Sequence, residues 1–307
     1  MPFDFKRDLA PWLVFPGLMS ACVGAAMAGA AAGLDPFPAA AGVVLAAFPT
    51  VALLERWLPY RPDWSKNHGD LRTDTIHLII AQIAMPQLLK PLFTVLVAGG
   101  TAALAARFGP NLWPHEWPIL LQLALALLIA EFGRYWVHRA AHEVPWLWRL
   151  HAVHHSPKRL YWLNAGRFHP IEKVIFLIPE TVPFILLSAN AEVLALYAVF
   201  NSIHGLLQHS NIALRAGWLN YVFSLPELHR WHHSRVIAES NTNYGNNLIV
   251  WDIVFGTYFR PRGREVGPIG LIAEDYPENY AAQLAAPFSA RDLSKPEGYA
   301  TGSEETA

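Results

Sequence analysis

The chain has 307 residues, of which 53% are hydrophobic and only 15% charged, and its formal net charge is −1. Soluble domains carry about 25% charged residues, so the composition points to a membrane protein, and the balanced charge excludes a large electrostatic footprint for nucleic acid. The single cysteine, Cys22, lies in an apolar run, which excludes an intramolecular disulfide and any cysteine-held zinc or iron–sulfur site within one chain.

No charged residue falls between Trp12 and Leu34, and a second apolar run, 39–54, follows at once. The first is long enough for a helix that crosses a hydrocarbon core of about 30 Å, and with the second it reads as a membrane hairpin rather than a signal peptide. The link 35–38 (Asp-Pro-Phe-Pro) has no Lys or Arg, whereas 55–73 carries Arg56, Arg61, Lys66 and Arg72. By the positive-inside rule the N-terminus and the 55–73 loop are expected on the cytoplasmic side.

Residues 74–106 are apolar again, interrupted by Pro86, Lys90 and Pro91, and are expected as one kinked helix or a helix followed by a shorter one. After a proline-rich loop, 117–137 form the next apolar helix, expected to return to the cytoplasm if 74–106 crosses once; the stretch around its end carries Arg134, Arg139, Arg149, Lys158, Arg159 and Arg167, which agrees with that side. Residues 171–203 are apolar with a break near Pro179, Pro183 and 188–190, as for two helices or half-helices. Residues 284–307 are polar and weakly patterned, as for a disordered or loosely docked tail. The expected organisation is an N-terminal transmembrane part (1–110), a catalytic part (111–265) and a polar C-terminal tail (266–307).

Histidine is the anomaly: eight of the 14 fall in three tight motifs. His138 and His142 are four apart, which puts both on one face of a helix. His151-Ala-Val-His154-His155 and His229-Arg-Trp-His232-His233 repeat a second spacing, and His204 and His209 lie between them. Imidazole suits zinc, iron, copper and nickel. A lone His-x-x-x-His arises by chance in many helices, but two His-x-x-His-His motifs behind a His-x-x-x-His do not, and together they can supply two metals. His68, His77 and His115 stand alone and read as ordinary side chains, while His169 beside Pro170 reads equally as a helix-start residue or as support for the site. His142-Glu143 begins like a zinc-protease motif, but Trp146 stands where its second histidine would be.

These residues resemble the fatty acid hydroxylase/sterol desaturase superfamily over roughly 125–262. The resemblance rests on Glu131-Phe-x-x-Tyr135-Trp-x-His138-Arg-x-x-His142-Glu and Leu147-Trp-x-x-His151-x-x-His154-His155-Ser. It continues through Gln208-His209-Ser-Asn211, Pro226-Glu-Leu-His229-Arg-Trp-His232-His233-Ser, Asn243-Tyr-Gly and Trp251-Asp-x-x-Phe-Gly256-Thr-Tyr. It implies an all-α, multi-pass transmembrane bundle with a cytoplasmic histidine-rich cap holding two iron ions. Such enzymes use O2 and two electrons to hydroxylate or desaturate a lipid such as a sterol or fatty acyl chain. By matching position the implied ligands are His138, His142, His151, His154, His155, His209, His229, His232 and His233, with His204 as a further candidate. Asn211, Asn243 and Asp252 match family positions that support the site or are purely structural.

With no nucleotide, flavin or haem motif in the sequence, electrons are expected from a separate ferredoxin, cytochrome or reductase. Arg159, Arg230 and Arg235 are candidates for its docking surface or for membrane anchors. The competing readings are a histidine-liganded metal transporter and a zinc-dependent membrane hydrolase. A transporter wants its ligands near the bilayer midplane, whereas these motifs follow the apolar runs.

Overall fold

The structure, a computed structural model, describes residues 3–109 and 112–289. Among the described residues it is helical, with isolated β-bridges and no strand. Among the described residues four helices are long and apolar enough to cross a membrane: α1 (Ala10–Ala31), α2 (Pro36–Trp57), α3 (Leu71–Phe108) and α4 (Ile119–Glu143). The chain is an integral membrane protein. α1 and α2 form the expected hairpin, and the Asp35 side chain caps α2 by accepting from the Phe37 N–H.

α3 runs through the proline positions as one interrupted helix. Its hydrogen bonding widens over Leu78–Ala84, just ahead of Pro86, which has no N–H to give to the carbonyl four residues back. Leu88, Val95 and Leu96 of α3 lie on its outer face, each more than two-thirds exposed, which is the lipid-facing surface of a spanning helix.

α4 positions the site. Its 25 residues extend about 37 Å at about 1.5 Å each, more than the roughly 30 Å hydrocarbon core, so its last turns stand clear of it. There Val144 is extended, as the residue before a proline tends to be, and Pro145 opens α5 (Pro145–His155) in the first-turn position it suits. This sharp reversal folds α5 back against the end of α4.

The apolar stretch after the cap forms two helices, α6 (Pro170–Leu187) and α7 (Ala191–His209), turned at Ser188, which adopts a left-handed conformation (φ 60°). α6 packs on α3 and α4, and α7 on α1 and α2. The approach of α6 to α4 needs Gly133, because a Cβ there would lie 2.5 Å from the Cβ of Pro179. The main core joins α1, α2, α4 and α7 through small and branched residues, including Ala47, Ala126, Ala130, Val199 and Leu207. A short helix, α8 (Pro226–His232), completes the cap.

Residues 284–289 depart from the expected disordered or loosely docked tail. Arg149 donates to the Pro287 carbonyl (2.6 Å), just downstream of the Thr73 hydroxyl donating to the Glu278 carbonyl (2.9 Å) and of Gln283 paired with His77 (2.8 Å). Long-range partners, Arg149 on α5 and His169 at the start of α6, are invisible to local patterning and hold the segment. Residues 290–307 of the expected tail lie outside the described residues.

Candidate metal centre

The end of α4, α5, the end of α7 and α8 converge, and they bring nine histidines into two buried groups. His138, His142, His151, His155 and His232 form one; His154, His209, His229 and His233 form the other, and within each the ligand atoms lie within 4.8 Å of one another. The motifs cross over. From the α5 motif the i, i+4 pair His151 and His155 enters the five-histidine group while His154 enters the other. From the α8 motif the pair His229 and His233 enters the four-histidine group while His232 crosses back. Neighbouring residues point about 100° apart on a helix, so adjacent histidines serve different groups. The groups abut, with the His155 and His233 rings stacked 4.4 Å apart.

Six rings are held from behind through Nδ1. His138 donates to the Tyr244 carbonyl (2.6 Å), His232 to the Thr242 carbonyl (2.8 Å) and His154 to the Arg167 carbonyl (3.1 Å). His209 donates to the Gly205 carbonyl (3.2 Å), His142 Nδ1 sits 3.2 Å from the Asn241 side-chain oxygen, and His151 donates to the Glu172 carboxylate. A carbonyl or carboxylate oxygen can only accept, so the proton sits on Nδ1 and the Nε2 lone pair faces inward. This is the arrangement expected of metal-ligating imidazoles.

Those lone pairs then meet. His138 Nε2 lies 3.1 Å from His151 Nε2, and His154 Nε2 lies 3.3 Å from His209 Nε2. With both rings of a pair neutral, both protons are already committed to Nδ1, so two acceptors face each other without a hydrogen between them. A cation removes that conflict. The spacing suits it, since nitrogens bonded at about 2.0–2.1 Å to one ion are separated by such distances along the edges of its coordination shell. Burial, then the neighbouring imidazoles, hold His154, His155 and His233 well below the usual histidine range, so these rings are neutral at pH 7, the form that binds metal. The donor set fits two metal ions.

A collar of chain fixes three rings of the five-histidine group, since 241–244 supplies the partners of His138, His142 and His232. Asp252 accepts from the Tyr244 and Gly245 N–H groups (2.7 and 2.8 Å) and from the Thr257 hydroxyl. From α4, Glu131 accepts from the N–H groups of Asn246 and Asn247. Asn243, at φ 53°, bridges the Leu228 and Phe259 carbonyls. Gly245 is required, because a Cβ there would lie 2.3 Å from the Leu248 carbonyl oxygen. Asn211 is more remote, tying the Arg61 loop to the end of α7.

A cavity of about 140 Å³ adjoins both groups. His138 and His151 line it from one, and His154, His209 and His229 from the other. Val44, Phe48, Leu78 and Ile83 of the spanning helices form its apolar side.

The fatty acid hydroxylase family model matches residues 123–257, the segment that carries every histidine of the two groups. The ornithine lipid hydroxylase OlsE of Rhizobium tropici is 40% identical over 252 residues, 80% of this chain and 75% of its own. The chain belongs to the fatty acid hydroxylase family. The alkylglycerol monooxygenase of Xenopus tropicalis is 32% identical over 44% of this chain, and a putative Δ7-sterol-C5(6)-desaturase of Arabidopsis thaliana is 31% identical over 46%. The chain spans only 30% of the former and 49% of the latter. No solved structure matches. Relatives named as hydroxylases, monooxygenases and desaturases make this a family of oxidoreductases, and the chain is an enzyme of that class.

Within that family frame, the structure separates His204 from the other nine candidates. It is buried among Phe15, Phe200 and Phe223 with neither ring nitrogen hydrogen-bonded. Five residues turn a helix by about 140°, so His204 and His209 leave α7 on different faces. His169 caps α6, its Nδ1 accepting from the Ile171 N–H. Arg159 and Arg230 are not surface residues: Arg159 binds Asp70 and two carbonyls, and Arg230 donates to the Ser210 and Ile212 carbonyls. Both are about 95% buried, leaving only Arg235, paired with Glu274, partly exposed. Glu172, behind His151, is the functional residue that spacing alone did not reveal, since its partner lies 21 residues away.

Proposed function

We propose that this chain is a membrane-bound, non-haem di-iron oxygenase that hydroxylates a lipid, with desaturation as the other outcome of the same hydrogen abstraction. The observation that carries the reading is the pair of facing lone-pair contacts, one in each histidine group, in a chain whose relatives oxidise lipids. Two iron ions bound there supply the oxidising power for R–H + O2 + 2 e− + 2 H+ → R–OH + H2O. His138, His142, His151, His155 and His232 would hold one ion, and His154, His209, His229 and His233 the other.

The chain's own residues do the positioning. Glu172 and the 241–244 collar keep the imidazoles aimed inward. Val44, Phe48, Leu78 and Ile83 give a hydrocarbon chain an apolar wall beside the histidines. The substrate class is a membrane lipid, with sterol, fatty acyl and related lipids in range of the named relatives. Two electrons come from a separate ferredoxin, cytochrome or reductase. The cap lies on the cytoplasmic side with the N-terminus, a reading supported by an even number of candidate spans and by Lys6, Arg7 and the basic 55–73 loop.

The test is the metal content of detergent-solubilised protein, purified anaerobically with metals supplied, beside a His232→Ala/His233→Ala variant that removes one donor from each group. About two irons per chain in the parent, with at least one lost in the variant, is the expected result. Folded protein with no stoichiometric metal overturns the reading. Zinc alone calls for iron reconstitution and an O2-consumption assay, and an iron-loaded protein that consumes no O2 with reductant also overturns it.

A further inference from the structure

Three charged side chains line the cavity beside the histidines: Arg134, Lys173 and Glu180. All three are at least 93% buried. Burying charge is costly unless it is paired and hydrogen-bonded, and inside a membrane domain such residues mark function by default. Glu180 is already satisfied, because Arg134 pairs with it directly while also donating to the Asn246 side chain. Lys173 is different: its ammonium makes only a longer ion pair, 3.7 Å from the other Glu180 oxygen. An ammonium has three protons to donate, so this one, buried and facing a cavity, has donors beyond the single pairing with Glu180. Arg134 likewise keeps a buried Nε–H without an acceptor.

Beyond Glu180 the surrounding charges supply no further acceptor. Glu131 lies one turn before Arg134, but its carboxylate takes the Asn246 and Asn247 N–H groups and does not line the cavity. Lys90 adds a further positive charge acting on Glu180. The cavity lining therefore carries one more cation than anion. It is also close to the histidines: the Phe168 ring stacks on His154 at 4.5 Å, and Lys173 Nζ lies 5.8 Å from that same ring. The preceding residue, Glu172, grips His151.

We propose that Lys173, with Arg134, binds the anionic head group of the lipid substrate, a carboxylate or a phosphate. Because the same cavity is bounded by the histidines, this places the oxidised carbon near that head group rather than far along the chain. The apolar wall of Val44, Phe48, Leu78 and Ile83 takes the adjoining hydrocarbon. The inference rests on the oxygenase reading for the identity of the reaction, but the binding it predicts requires neither O2 nor a reductant.

The experiment measures binding of three single-chain lipids to the detergent-solubilised full chain by native mass spectrometry. They are N-palmitoylglycine (carboxylate), palmitoyl lysophosphatidic acid (phosphate) and 1-palmitoylglycerol (neutral). Hydrogen bonds to a charged group predict that at least one anionic lipid binds about ten- to a hundredfold tighter than the neutral one, and which one identifies the head group. Lys173→Met should abolish that preference while leaving the neutral lipid's affinity in place, and Lys173→Arg should keep it. Equal binding of all three lipids by the parent protein overturns the proposal whether or not either variant folds, as does a folded Lys173→Met protein that retains the preference. Iron content is measured on the same samples. Missing iron with the preference intact sinks the oxygenase reading alone, and intact iron with no preference sinks the head-group site alone.

Discussion

The two histidine groups are built differently. The five-histidine group has more donors and more support, with four of its rings held from behind by the collar or by Glu172. Only two of its rings reach the cavity. The four-histidine group has two rings so held, His154 and His209, while His229 and His233 have buried Nδ1 atoms without a hydrogen-bond partner. Three of its four rings line the cavity. The difference assigns unequal tasks to two sites that look alike in sequence. One is over-determined and set back; the other has fewer donors, a looser surround and the greater contact with the space where substrate would lie.

The sharpest way to break that contrast is to remove one donor from each group in turn. His209→Ala leaves its group with three rings, whereas His142→Ala leaves four. His209→Ala should lose about one of two bound irons, while His142→Ala retains close to both, because four imidazoles still make a complete set for one ion. Metal content per chain, determined on protein of unchanged helical content, checks this. Equal losses, or a larger loss from His142→Ala, would show that the extra donor confers no security and that the asymmetry has no consequence.

Much of this centre could be read from the sequence because its signal is local. A separation of four residues fixes which rings share a helix face, so the pairs His138/His142 and His151/His155 were visible at once. What spacing could not give is the exchange of His154 and His232 between groups, which depends on α5 and α8 meeting across a gap of more than 70 residues. The collar has the same character: Glu131 and Asp252 stood in recognisable motifs, but Glu131 acts on N–H groups 115 and 116 residues away. Basic residues misled for a related reason. Arg159 and Arg230 look like surface charge in a polar loop, and only tertiary contacts with Asp70 and with the carbonyls beyond α7 bury them. Lys173 and Glu180 were lost inside a stretch whose average is apolar.

Glu172 offers a finer test of the comparison, because it is the carboxylate that grips a ring of the five-histidine group. Removing such outer support typically costs about 10- to 100-fold in metal affinity. Glu172→Ala should therefore make one iron labile to a chelator while the other exchanges at the parent rate. Biphasic iron release in a competition experiment is the expected signature. A single phase that accelerates for both ions would mean that the groups are not independent, and the contrast drawn between them would have to be replaced by one coupled site.

The smallest effect belongs to His204, the tenth candidate, which the fold leaves out of both groups. Its ring is sealed among aromatic side chains with both nitrogens unsatisfied, and a buried polar group without a partner costs about 1–3 kcal/mol. His204→Leu should therefore leave iron content unchanged and either preserve or modestly raise the thermal midpoint. If it instead removes one iron per chain, His204 must swing toward His209 when metal is bound. That would give the second group a fifth donor, and the inequality between the two groups would disappear.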